Sequence, residues 1–217
     1  MPKASAKGGA DFAPIPAGLH TGICYSVIDL GTQPSNNPAF QDSRKVLLIW
    51  ELPNERADFQ NKTTGAMENK ARVISAEYTL SLGSKANLRK VLESWRGKPF
   101  TKEEADGFEV GVLAGKACQL NVMHKPSKDG TKTYANVMAI VPMPKGSPAM
   151  KPENPVVVFD LPEKGPVVFP PTMPEWIQNK IKMSHEYNDI ISGKASRQTD
   201  APQAFPTDGK PDDDLPF

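Results

Sequence analysis

ARVISAEYTLSLGSKANLRKVLESWRG (residues 71–97) changes its hydrophobic period partway through, and that change decides the fold. Up to Leu82 the apolar residues alternate. Ile74, Ala76, Tyr78, Leu80 and Leu82 share one face and Val73, Ser75, Glu77, Thr79 and Ser81 the other, which is the pattern of a half-buried strand. Past Ser84 the period becomes helical, with Leu88, Val91, Leu92 and Trp95 on one stripe. Ser84 is the expected N-cap of a helix over 85–96, and Gly97 supplies its C′ residue.

On the N-terminal side, HTGICYSVIDLGT (20–32) is rich in β-branched residues and reads as a strand. RKVLLIWEL (44–52) is apolar at both parities, so it predicts a strand covered on both faces, with Pro53 expected to stop it and 54–70 expected to form a polar hairpin-like insertion. On the C-terminal side, Thr101 and Glu104 make a capping-box pattern for a short helix ending near Gly107. KACQLNVMHK (116–125), with Cys118, Leu120 and Val122 inward, and KTYANVMAIV (132–141) read as two strands joined by the turn SKDGT. Beyond 142 comes a proline-rich connector with a β-like run at 156–159. A docking helix follows at about 174–191, with Thr172 as its cap and Trp176, Ile177, Ile181 and Ser184 on the docking stripe.

Five strands with the principal helix between the third and fourth is the element order of an OB-fold, a small Greek-key barrel that commonly binds oligonucleotides on the face of strands 2 and 3 and in its flanking loops. Other small barrels and α+β sandwiches share that order. The expected fold is thus mainly β: a five-stranded OB barrel at 18–146, a flexible start at 1–17, a connector and docking helix at 147–192, and a disordered acidic linker and tip at 193–217.

Of the 217 residues, 26 are Lys or Arg and 25 Asp or Glu, but the balance is uneven along the chain. Residues 1–150 hold 19 basic against 14 acidic side chains and 151–217 hold 7 against 11, so a basic body precedes an acidic tail. A basic body suits a polyanion, and an acidic tail suits a basic protein surface. The 22 prolines divide 11 and 11 between these segments, marking the shorter second one as partly unpacked. No run of about 18 apolar residues and no apolar signal core is present, so the expectation is a cytoplasmic protein of a bacterial cell without membrane contact. With two cysteines, Cys24 and Cys118, there is no disulfide scaffold to expect.

YTLSL (78–82) and KANLRKVLESWRGKPFT (85–101), within a match from about Gly18 to Gly146, resemble a family of phage replication-module proteins regarded as OB-fold single-stranded DNA-binding proteins. The resemblance implies the fold and binding of single-stranded DNA (ssDNA), with no base-stacking residue transferable by position. The segment Asp212, Asp213, Asp214, Leu215, Pro216 and Phe217 resembles the acidic tip of bacterial ssDNA-binding proteins, departing at Leu215 from the usual DDDIPF. Physically, the Phe217 ring can enter an apolar pocket while the aspartates steer toward a basic rim.

Sequence-tolerant ssDNA binding needs cations for phosphates and exposed aromatic faces for bases. The candidates are the loop rings Phe40 and Phe59, the strand ring Tyr134, and Arg44, Lys45, Lys70, Arg72, Lys85, Lys98, Lys125, Lys128 and Lys132, with Arg89, Lys90, Arg96 and Lys116 as further cations near strand ends and loops. Trp50, Tyr78 and Trp95 read as core, and Tyr25 and Tyr134 are balanced between core and surface. A zinc site from His20, Cys24, Cys118 and His124 fails because residues four or six apart on a strand lie about 13–20 Å from each other. GTKT at 130–133 lacks P-loop spacing, and no nucleophile or acid–base constellation is placed by the pattern, so no enzyme and no cofactor is expected. The expected role is a non-catalytic ssDNA-binding protein that protects ssDNA in phage replication or recombination and recruits host or phage replication, recombination and repair proteins through its tip. A homo-oligomer is compatible with this. The alternative is an annealing accessory or protein-interaction module that touches DNA weakly.

Overall fold

The computed structural model describes residues 13–35, 37–61, 64–127 and 129–193. Five antiparallel strands, β1 (Gly18–Gln33), β2 (Ser43–Gln60), β3 (Met67–Thr79), β4 (Ala117–Pro126) and β5 (Thr133–Val141), form one sheet in the order β3-β2-β1-β4-β5. The sheet curls into a half-barrel that brings β3 and β5 toward each other. Between β3 and β4 lie helices α1 (Asn87–Arg96) and α2 (Lys102–Asp106) and a 3-10 turn at Val110–Leu113.

α1 spans the gap between the two outer strands. Its buried face of Leu88, Leu92 and Trp95 joins Trp50, Leu120 and Ile140 in the inner core, Trp95 Nε1 donates to the Ala117 carbonyl, and Ser94 Oγ donates to the Ile140 carbonyl on β5. Packing is close here: a Cβ on Gly22 would lie 2.7 Å from Leu120 Cδ1. The inward set Cys118, Leu120 and Val122 is as expected, and Thr101 and Glu104 form the full capping box. The helix start differs. A turn through Gly83 and Ser84 delays α1, so that Ala86 is its N-cap and Ser84 caps nothing. Gly97 is the left-handed C-cap at φ 70°.

Pro53 does not end β2. The ladder slips between Leu52 and Arg56, which removes any need for a Pro53 amide donor, and the strand continues with β3 as a two-stranded ribbon where the polar insertion was expected.

The double-sided apolar pattern of β2 is explained by a second core on the convex face. There Ile28, Leu30, Leu47 and Ile49 are covered by Phe159, Leu161, Met173, Ile177 and Ile181. The cover is built from β6 (Val157–Phe159), parallel to β1, and two helices, α3 (Glu175–Lys182) and α4 (His185–Ser192), in place of the single helix expected. The break falls at Ser184, whose hydroxyl caps α4 by accepting from the Tyr187 amide. Neither Thr172 nor any other side chain caps α3, and Trp176 lies off the docking stripe, 52% exposed beside the fully buried Ile177. Upstream, the fully buried Glu51 carboxylate accepts from the Glu153 and Asn154 amides and from Asn154 Nδ2, anchoring the connector to β2. Among the described residues no helix is long and apolar enough to cross a membrane.

Candidate nucleic-acid interface

The second core removes the convex face of β1 and of the first half of β2 from any ligand, and with it the strand 2 side of the strand 2–3 face on which OB barrels commonly bind. Most of the described candidate residues lie at the two ends of the half-barrel, while Val73 and Ser75 of β3 stay exposed on the convex face between them.

At the end where β1 begins, the β2–β3 ribbon and the β4–β5 hairpin both project past the sheet, since Ile23 pairs with Glu51 and Gly18 with Val122. The incoming segment runs between them, with Arg72 donating to the Ala13 carbonyl at 2.6 Å and His124 Nε2 lying 2.8 Å from the Ile15 carbonyl. His20 holds Pro16 in the same way and pairs with Glu55, so both histidines are committed to structure. Lys125 and Tyr134 are directly opposed on β4 and β5 and therefore share a face. Met123, two residues back, and Leu19, opposite Asn121, extend that face, giving an exposed strip of Leu19 (60%), Met123 (52%), Lys125 and Tyr134 (39%). Lys132 is exposed in the adjoining turn, whose Asp129 carboxyl is held down to about 2 by Ser127 and Thr131. On the ribbon, Phe59 is half-buried opposite Glu68, and Lys70 pairs with Glu68.

At the other end, the β1–β2 loop presents Phe40 at 51% exposure. Its turn is set by local bonds: the Phe40 amide donates to the Asn37 carbonyl, Asn37 Oδ1 accepts from the Ala39 amide, and Asp42 Oδ1 accepts from the Ser35 amide. Arg44, at the base of the loop, makes a two-pronged pair with the buried Asp29, and those hydrogen bonds push an already strong base further up. Lys45 donates to Thr79 on β3, and Lys85 is exposed in the turn before α1. Lys98 belongs to neither end; it lies after α1, beside Glu104, whose carboxyl Arg96 holds down to about 2. Lys128 and the tip residues 212–217 fall outside the described residues.

One division among the cations is not visible in sequence. Every described arginine is spent internally: Arg44 on Asp29, Arg56 on Glu153 and Asn69, Arg72 on Ala13, Arg89 on Glu93, and Arg96 on Glu104. By contrast Lys85, Lys90, Lys116 and Lys132 are exposed with no internal side-chain partner among the described residues. A compact ammonium on a flexible stem attracts phosphate without dictating geometry, whereas the guanidinium fork suits planar, bidentate recognition.

The ring assignments follow burial. Trp50 and Trp95 are core and pack against each other at 6.2 Å, Tyr78 packs into the inner core, and Tyr25 packs against the outer one. Burial pushes the Cys24 thiol up to about 12 and raises Cys118 as well, so neither is poised for thiolate chemistry. The open groove of about 670 Å³ under α1 and α2, floored by Trp95, Phe108 and Leu113, has Arg96 and Lys116 in its lining but none of the candidate rings. No protein-family model matches the chain, and no curated protein matches it significantly.

Proposed function

We propose that this protein is a non-catalytic, largely sequence-independent ssDNA-binding protein built on an OB-type barrel. The observation that carries the reading is the pairing of exposed rings, Phe40 and Tyr134, with lysines at both open ends of the half-barrel, while the arginines are used internally. Exposed rings stack on any base, and lysines follow a phosphate backbone of any sequence. The strand order supports the OB assignment, since each pairing of β1, β2, β4 and β5 agrees with that barrel and β3 approaches β5 where it would close. The resemblance of 78–82 and 85–101 to phage ssDNA-binding proteins points the same way. Residues 212–217, by their resemblance to the acidic tip, extend the proposal to recruitment of replication, recombination or repair proteins.

The discriminating experiment titrates poly-dT and a duplex of equal length against the protein at two salt concentrations. Preference for poly-dT is expected. Equal affinity for both, or no salt dependence, contradicts the reading. A pull-down from host lysate with and without Phe217 tests recruitment separately, and recovery of the same partners by both chains removes the tip from the account.

A further inference from the structure

The β1–β2 loop is not held by the barrel alone. Thr32, where β1 runs into the loop, donates from its amide to Glu186 Oε2 and from its hydroxyl to Glu186 Oε1, both at 2.6 Å. Asp42, at the far side of the loop, accepts from the Ser35 amide through one oxygen and lies 2.8 Å from His185 Nε2 through the other. Gly31 adopts φ +69°, and a Cβ there would sit 2.6 Å from Ser184 Cβ, so the capping residue of α4 rests directly on the β1 backbone. Gln33 Nε2 donates to the carbonyls of Leu30 and Lys180, tying the end of β1 to α3. Both ends of the loop that carries Phe40 are thus fixed by residues about 150 positions later in the chain.

We infer that α4 is a positioning element for the β1–β2 loop: the Glu186 clamp on Thr32 and the Asp42–His185 contact hold Phe40 in its exposed arrangement, so that ssDNA binding and docking of α4 favour each other. The inference rests on the ssDNA reading for its ligand but not for its mechanics. An ordered loop spares the bound state the entropy of ordering it, and by linkage whatever α4 gives to ssDNA affinity, ssDNA returns to α4. The convex core is common to the bound and free states and would not by itself couple the two. The clamp does so because it lies at the base of the loop.

The test compares Glu186→Ala, Glu186→Gln and Lys180→Ala in the full chain. Glutamine keeps one acceptor for Thr32, and Lys180→Ala removes the α3 ion pair with Glu77 on β3 without touching the loop. Amide exchange at Ala39, Phe40 and Gln41 reads loop order, and fluorescence titration with a dT oligonucleotide reads affinity. Glu186→Ala is expected to speed exchange at those three amides and to weaken dT binding by about fivefold or more, at the low end of usual coupling factors. Glu186→Gln should fall between it and the parent, and Lys180→Ala should match the parent in both readouts even if its melting temperature drops. Bound oligonucleotide should in turn slow exchange in α4. Unchanged loop exchange in Glu186→Ala overturns the inference. Faster loop exchange with unchanged dT affinity overturns it too, because the loop would then not serve binding. If the parent chain fails to bind dT, the ssDNA reading falls, while the exchange comparison still decides whether α4 orders the loop.

Discussion

Ile177 and Trp176 are neighbours on α3 with opposite surroundings, and replacing each by alanine tests whether the C-terminal helices are an integral layer of the fold. Ile177 is fully buried against Leu47, Ile49 and the rest of the outer core, whereas Trp176 is 52% exposed. Truncating a buried isoleucine to alanine costs about 2–5 kcal/mol through lost transfer energy and the cavity left behind. For a folded unit of roughly this size, 1 kcal/mol shifts the melting temperature by about 2–4 °C, so a central loss of about 3 kcal/mol predicts a fall of about 6–12 °C. Alanine is the better helix former at both positions by a similar few tenths of a kcal/mol, so propensity cancels in the comparison. Trp176→Ala should stay within about 2 °C of the parent, in keeping with the small effects of surface substitutions. Scanning calorimetry of the two variants side by side is the assay. Equal shifts, or a larger one for Trp176→Ala, would refute the argument, because they would mean that α3 does not dock through Ile177.

Phe40→Ala and Tyr134→Ala should each weaken dT binding by about 5- to 150-fold, the equivalent of one lost stacking contact of about 1–3 kcal/mol, with little change in melting temperature. Fluorescence titration and calorimetry on the same samples check both halves, and unchanged affinity removes that ring from the interface. Gly22→Ala should destabilise the protein by about 1–3 kcal/mol, since its Cβ would meet Leu120 in the inner core; denaturant unfolding measures it, and a neutral result would show that the core yields there. Burial works against ionisation of Glu186, but the hydrogen bonds from Thr32 outweigh it and hold the carboxyl below the usual carboxylate range. A lowered folded-state value means stability that is present above the unfolded value and lost as pH falls through the folded one, so amide exchange in α4 should accelerate only in acid, beneath the ordinary carboxylate range. An α4 that opens instead between neutral pH and that range would show that Glu186 is not the group that holds it.

Where local pattern and tertiary context agreed, the sequence was readable. The alternation at 74–82 and the helical stripe at 88–95 placed β3 and α1, because each apolar side chain there faces the inner core, although β3 itself ends at Thr79 and Leu80 and Leu82 pack from the turn that follows. The capping box at Thr101 and Glu104 was legible because it is closed within four residues. Pro53 misled because a proline stops a strand only where its missing donor is needed, and the ladder slips past that point. Ser84 and Ser184 are both good capping residues, but only Ser184 caps a helix; which serine is used depends on turns and docking that a local pattern does not encode. The double-sided apolar strand at 44–52 announced a covering layer, and long-range packing alone identified it as residues 157–187. The candidate cations were legible only as a list, since whether Arg44 faces a phosphate or Asp29 depends on a partner 15 positions away on another strand. Phe40 was legible as an exposed ring, but its tie to α4 runs through Thr32 and Glu186, 154 positions apart.

If lysines and exposed rings, rather than a fixed recognition geometry, bind single strands, the salt dependence of poly-dT affinity measured beside that of duplex DNA of the same length will show it. Poly-dT should bind more tightly at each salt concentration. A plot of log K against log salt should fall with a slope of about −0.7 for every phosphate neutralised, so that a few lysine contacts give a slope of about −2 to −4. A flat plot, or a duplex that binds as tightly as poly-dT, would mean that single strands are not held in this way.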